Sequence, residues 1–128
     1  MLAKGRCFCG EIEFSITLPC NWVVHCHCKI CQKTHGAAFV TWVSAKEESF
    51  DFVDHNNNLV WFNSSKEGKR SFCKKCGSNL FFKSPKFPNE VHIPLASFDS
   101  NIDQQPQAHY FVNTQVDWCQ INDGLPKK

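Results

Sequence analysis

Cys7-Phe8-Cys9-Gly10-Glu11-Ile12-Glu13-Phe14-Ser15-Ile16-Thr17-Leu18 is the stretch that decides the fold class. From Glu11 onward apolar and polar residues alternate strictly, placing Ile12, Phe14, Ile16 and Leu18 on one side. That two-residue period is the signature of a half-buried β-strand. Pro19 ends it, because proline has no N–H to give to a ladder. Two thiols therefore sit on the turn that leads into a strand.

The same grammar recurs further along. Arg70-Ser71-Phe72 runs into Cys73-Lys74-Lys75-Cys76-Gly77, and Ser78 to Phe82 carries the chain away. Strand, Cys-x-x-Cys-Gly, strand reads as a zinc knuckle, with Gly77 free to take the tight turn that brings N–H groups toward the sulfurs. Residues 37–43 form a continuous apolar run of strand length, predicted as central to the sheet. Residues 50–53 and 59–62 give two further strands across the His55–Asn58 turn. Residues 91–95 alternate around Pro94, which predicts an edge or a strand end, and residues 109–112 give a last strand. Helix is confined to one or two turns over 28–34, closed by Gly36 as C-cap. The reading is all-β, with seven or eight short strands and cysteine clusters on the turns.

The chain of 128 residues contains twelve Phe, four Trp and 42% hydrophobic residues, enough for one core. A single zinc-binding domain spanning 1–128 is expected, since domains of about 100–150 residues are the commonest. A net charge of +2 with no polybasic run points away from nucleic acid and from acidic membrane surfaces. No apolar h-region precedes Cys7, and nothing approaches the ~20 apolar residues of a membrane span. A soluble cytoplasmic protein is the expectation.

Nine cysteines fit disulfides poorly. The count is odd, no export signal is visible, and a Cys-x-Cys pair closes too small a ring for relaxed geometry. A redox role for Cys73 and Cys76 lacks the βαβ context such a motif needs. Metal ligation fits better. Seven thiols fall into three clusters: Cys7/Cys9, Cys26/Cys28/Cys31 and Cys73/Cys76. The most economical division is four plus three. Cys7, Cys9, Cys73 and Cys76 would then close a structural zinc site, while Cys26, Cys28 and Cys31 would leave one position of a second zinc open. An open position suits the capture of a thiol, because coordination stabilises its thiolate. The triad can instead be closed by His25, His27, His35, His92 or His109, with His27 the least suited because it would point outward between two ligands. Pairing Cys7 and Cys9 with two of the triad also satisfies the spacing.

The remaining residues receive plainer readings. Cys20 and Cys119 are isolated, hence buried or idle thiols. Lys66, Lys69, Arg70, Lys74 and Lys75 are read as solvated charges offsetting a four-thiolate centre. His109 and Trp118 are read as core aromatics rather than pocket walls.

The pattern Gly5-x-Cys7-x-Cys9-Gly10, Cys26-His27-Cys28-x-x-Cys31 with Gly36, Phe72-Cys73-x-x-Cys76-Gly77-Ser78 and the later Pro106, His109 and Trp118 resembles the glutathione-dependent formaldehyde-activating enzyme family. Its eukaryotic branch is named for centromere protein V. The resemblance covers residues 5–118 and implies packed, twisted antiparallel sheets. It also implies structural zinc on Cys7, Cys9, Cys73 and Cys76 and a second, catalytic zinc on Cys26, Cys28 and Cys31, two ions per chain. The implied activity is that of a zinc-dependent carbon–sulfur lyase acting on a small thiol adduct, such as S-(hydroxymethyl)glutathione formed from glutathione and formaldehyde. No set of glutathione-binding residues is carried over. His27, His35 and His109 are the candidate proton carriers. A non-catalytic zinc-stabilised binding module and a thiol or metal sensor are the alternatives, and a closed triad would favour the module.

Overall fold

The computed structural model describes residues 1–128. The alternating stretch forms β2 (Ile12–Thr17), with Ile12, Phe14 and Ile16 buried and Glu13 and Thr17 exposed. Antiparallel to it on one side lies β1 (Leu2–Arg6) and on the other β5 (Phe50–Asp54), giving a three-stranded sheet. β1 has no strong strand signal of its own, since Lys4 and Gly5 sit in its middle. It forms because Ala3 packs into the core and every residue from Leu2 to Arg6 finds a partner on β2. Gly5 is required there: a Cβ would collide with the Ser97 carbonyl oxygen and the Phe14 ring.

The second sheet has seven strands: β3 (Trp22–Cys26), β4 (Val40–Lys46), β6 (Leu59–Asn63), β7 (Lys69–Cys73), β8 (Asn79–Lys83), β9 (Glu90–Pro94) and β10 (His109–Tyr110). Their spatial order is β10-β3-β4-β9-β8-β7-β6. One helix, α1 (Lys29–His35), sits between β3 and β4 and ends at Gly36, whose φ of 61° is the left-handed C-cap. The molecule is thus all-β with one short helix, and no helix is long and apolar enough to cross a membrane.

Pleating gives the large sheet two differently used faces. Val23, Val43, Ala45, Phe81, Val91 and Ile93 point to the small sheet and join Ala3, Ile12, Phe14 and Ile16 in one core. Cross-strand register puts Trp22, Val24 and Cys26 of β3 beside Ser44, Trp42 and Val40 of β4 on the opposite face. Trp42 on that face is buried, which is why residues 40–43 read as continuously apolar.

Several expectations shift in detail. Ten strands form rather than seven or eight. The run 37–43 enters the sheet only at Val40, because Gly36 to Phe39 still belongs to the turn leaving α1, and it continues to Lys46. β9 is central rather than an edge; Pro94 is its last residue, where a missing N–H costs nothing to the ladder. The last strand is only two residues long and runs parallel to β3, an exception to the antiparallel pattern. Phe111 stops it with φ 60° and ψ 38°.

Candidate metal centres

The turn between β1 and β2 carries Cys7 and Cys9, and the turn between β7 and β8 carries Cys76 beside Cys73 at the strand end. The four sulfurs lie within 4.8 Å of one another. Cys7 Sγ is 3.5 Å from Cys9 Sγ, and Cys9 Sγ is 3.7 Å from Cys73 Sγ. Zinc–sulfur bonds of ~2.3 Å in a tetrahedron set sulfurs about 3.8 Å apart, so the donor set fits such an ion with little movement. Local backbone geometry builds the cluster. The N–H of Ile12 donates to Cys7 Sγ (3.4 Å), and the N–H of Phe8 donates to Ser78 Oγ (2.9 Å), tying one turn to the other. Gly77, with φ 80°, lets its N–H reach the Cys73 carbonyl at 2.7 Å.

Protonation within this cluster is uneven. Burial raises the Cys76 thiol, yet the Ser78 hydroxyl and the N–H groups of Ser78 and Cys9 outweigh it and bring Cys76 down to about 6. The Glu11 N–H lowers Cys9, but burial and the three neighbouring thiols push it up to about 12. Four sulfurs this close resist collective ionisation, and a dication at their centre relieves that repulsion.

The second cluster is built on the other face of the large sheet. Cys26 ends β3, Cys28 is the N-cap of α1, and Cys31 lies in its first turn. The Cys31 N–H donates to Cys28 Sγ (3.2 Å), and Cys31 Sγ lies 3.4 Å from Cys26 Sγ. All three sulfurs fall within 4.8 Å of one another, and no histidine nitrogen joins the group. All three residues line a cleft of about 920 Å³. Trp42 Nε1 and Arg70 Nη2 each donate to Cys31 Sγ at 3.5 Å. Together with the thiols of Cys26 and Cys28, these donors hold Cys31 far below the ordinary thiol value despite its burial. Hydrogen bonds with Cys28 and Cys31, and burial, push Cys26 the other way.

Arg70 corrects the reading of the basic residues as solvated. It is 7% exposed, and its guanidinium lies over two neighbouring rings, 5.5 Å from the centre of Trp42 and 5.1 Å from that of Phe82. Its neighbour on β8 is Phe82 and its charge faces the triad, not the four-cysteine cluster. Lys75 does stay at the surface near that cluster, paired with Glu11 at 2.7 Å. No local pattern in the sequence distinguishes Arg70 from the lysines around it; only β7 pairing aims it inward.

The histidines also depart from expectation. His27 points inward rather than outward, 1% exposed, and its Nε2 is hydrogen-bonded to His109 Nδ1 at 2.8 Å. His109 Nε2 in turn bonds Asp123 Oδ2 at 2.8 Å. The His27 carbonyl accepts from Gln32 Nε2 and Thr114 Oγ1, fixing the loop that bears Cys26 and Cys28. His25 stacks on His109 at 4.6 Å and bonds Thr41 Oγ1. His35 packs edge-on to Trp42, and burial with Arg70 nearby lowers it to about 4. None of His27, His35 and His109 lines the cleft; His92 does, with Nε2 2.9 Å from Glu90 Oε1. Trp118 is 71% exposed and neither core nor cleft wall. Cys20 is buried, pushed up to about 12 by burial and Asp103, and Cys119 stands apart from both clusters.

The chain has counterparts among known proteins. Residues 2–114 match the model of a family described as glutathione-dependent formaldehyde-activating enzyme. A protein of Halomonas elongata that carries this family's name is 27% identical, covering 94% of this chain and 82% of that one. An uncharacterised lyase of Schizosaccharomyces pombe is 29% identical, covering 86% of this chain and 85% of its own. A crystal structure of a Rhodobacter sphaeroides protein shares the fold, with a TM-score of 0.65 at 22% identity over 78% of this chain and 91% of that one. The chain belongs to the glutathione-dependent formaldehyde-activating enzyme family, and it is an enzyme of that type.

Proposed function

We propose that Cys7, Cys9, Cys73 and Cys76 hold a structural zinc ion. Cys26, Cys28 and Cys31 then hold a second one, beside which a carbon–sulfur bond to glutathione is made or broken. The single observation that carries this reading is the triad itself: three sulfurs at ligand spacing, no histidine in their group, and a cleft on their open side. A zinc ion there would stabilise a thiolate and offer a Lewis-acidic position.

The reaction is redox-neutral. The thiol sulfur bonds the carbonyl carbon of formaldehyde, the C=O π pair moves to oxygen, and the proton lost from sulfur ends on that oxygen as S-(hydroxymethyl)glutathione. The lyase direction reverses each step. The chain's own groups have definable parts in this. Arg70 and Trp42 orient Cys31 and offset the negative charge of three thiolates. Arg70 Nη1 is buried with no acceptor in the protein, which leaves the guanidinium charge unpaired by any carboxylate beside the triad. Glu90 holds His92 by one ring nitrogen, so the other is left to pass a proton in the cleft. Burial lowers His92 against the pull of Glu90, which keeps it neutral and able to accept.

Metal analysis should return two zinc ions per chain. Nuclear magnetic resonance exchange between glutathione, formaldehyde and their adduct should accelerate with the zinc-loaded protein. Cys31→Ser should lose one ion and the acceleration together. One ion per chain, or exchange at the uncatalysed rate, rejects the proposal.

A further inference from the structure

The cleft beside the triad is built for more than formaldehyde. Formaldehyde has two heavy atoms and is little larger than water, whose share of liquid volume is about 30 Å³. The cleft holds about 920 Å³, and twelve of its twenty-two lining residues are hydrophobic. A tripeptide thiol brings amides and carboxylates, which account for the polar part of the lining, where the two cations Lys66 and Lys86 outnumber the carboxylate of Glu67. They do not account for the rest. Trp22 and Val24 share the face of β3 that ends in Cys26, so an apolar strip leads directly to a triad sulfur. Ile30, Phe87, Tyr110 and Phe111 border the same space, each 38–55% exposed. Large apolar side chains left open together around a concave site mark a ligand surface.

Phe111 adds an independent observation. It has φ 60° and ψ 38°, a region that bulky residues avoid, and its side chain is 55% exposed. Its strained backbone therefore buries nothing in the core. Strain of this kind persists where it positions a group for a ligand, and what it positions here is an aromatic ring at the cleft.

We infer that the preferred substrate is a glutathione-class thiol adduct whose sulfur-bound carbon carries a bulky apolar group, aryl or long alkyl, in place of one of the two hydrogens of the formaldehyde adduct. The inference rests on the proposed chemistry at the triad. The same step applies: the thiol sulfur bonds an aldehyde carbon, the proton moves to its oxygen, and no redox partner is needed. The carboxylates lie toward Lys66 and Lys86, and the apolar group lies along Trp22, Val24 and Phe111.

The test uses zinc-loaded protein, with the change in intrinsic fluorescence of its four tryptophans, two of which (Trp22 and Trp42) line the cleft, reporting binding of S-methylglutathione and S-benzylglutathione. Burying the added ring should tighten binding at least about tenfold, and Phe111→Ala should remove most of that preference. With glutathione as thiol, kcat/KM for phenylacetaldehyde should exceed that for formaldehyde by a similar factor. Equal binding of the two thioethers, or a preference for formaldehyde, overturns the inference while leaving the proposed chemistry standing. No turnover of either aldehyde overturns both.

Discussion

Cys76→Ser and Cys31→Ser each remove one thiol from a cluster, yet they should differ in effect. Cys76 belongs to a cluster that joins the small sheet to the large one through residues 64 positions apart. Cys31 closes a loop only five positions long to Cys26. Treating each proposed zinc site as a cross-link, the chain-entropy relation gives about 4 kcal/mol for the long loop and about 2 kcal/mol for the short one. Unfolding entropy for a chain of this length converts 1 kcal/mol into roughly 4 °C. Thermal unfolding followed by circular dichroism should therefore fall by about 15 °C for Cys76→Ser and about 7 °C for Cys31→Ser. The second figure is an upper bound, since the Trp42 and Arg70 donors that face Cys31 Sγ can turn to a serine hydroxyl. Metal content should fall by one ion in each variant. Equal losses of Tm would show that the triad is as structural as the four-cysteine cluster, and the reasoning from loop length would fail.

Three further outcomes follow from particular contacts. Gly5→Ala drives a methyl group into the Ser97 carbonyl and the Phe14 ring, and Phe14 is locked edge-on between Phe81 and Phe98; denaturant unfolding should show a loss of about 3 kcal/mol, and a change under 1 kcal/mol would contradict the packing. His35, lowered to about 4 by burial and Arg70, binds a proton more readily unfolded than folded; stability should decline as pH falls from about 6.5 toward 4 and then level off for this group. Allowing for its partial exposure, His35→Gln should remove roughly 2 kcal/mol of that decline, and an unchanged pH profile would refute the assignment. Trp118→Ser, at a side chain 71% exposed, should leave stability within about 0.5 kcal/mol; a larger loss would mean that the tail packs in a way the fold does not show.

Much of this molecule follows from local sequence. The alternation at Ile12, Phe14 and Ile16, the Cys-x-x-Cys-Gly turn at 73–77 and the Gly36 cap are short-range signals, and each has a local physical cause. Chain pleat, turn conformation and the absence of a Cβ act within a few residues, so a linear reading captures them. The grouping of seven thiols into four and three was also legible, because few divisions satisfy tetrahedral coordination. Spacing alone left open whether a histidine closes the triad, and none of the five candidates does so.

What the tertiary structure decided lies in long-range pairing. Arg70 looks like any basic residue beside Lys69, and only the register of β7 against β8 turns it under Trp42 and Phe82 toward Cys31. His27 appeared destined for solvent between two cysteines, but its partner His109 stands 82 positions away. The strand signal in residues 40–43 did not reveal that its two faces serve different purposes, one the core and the other the cleft. Side-chain period is a property of the strand itself; what each face meets depends on which distant strands lie beside it, and that information is not local.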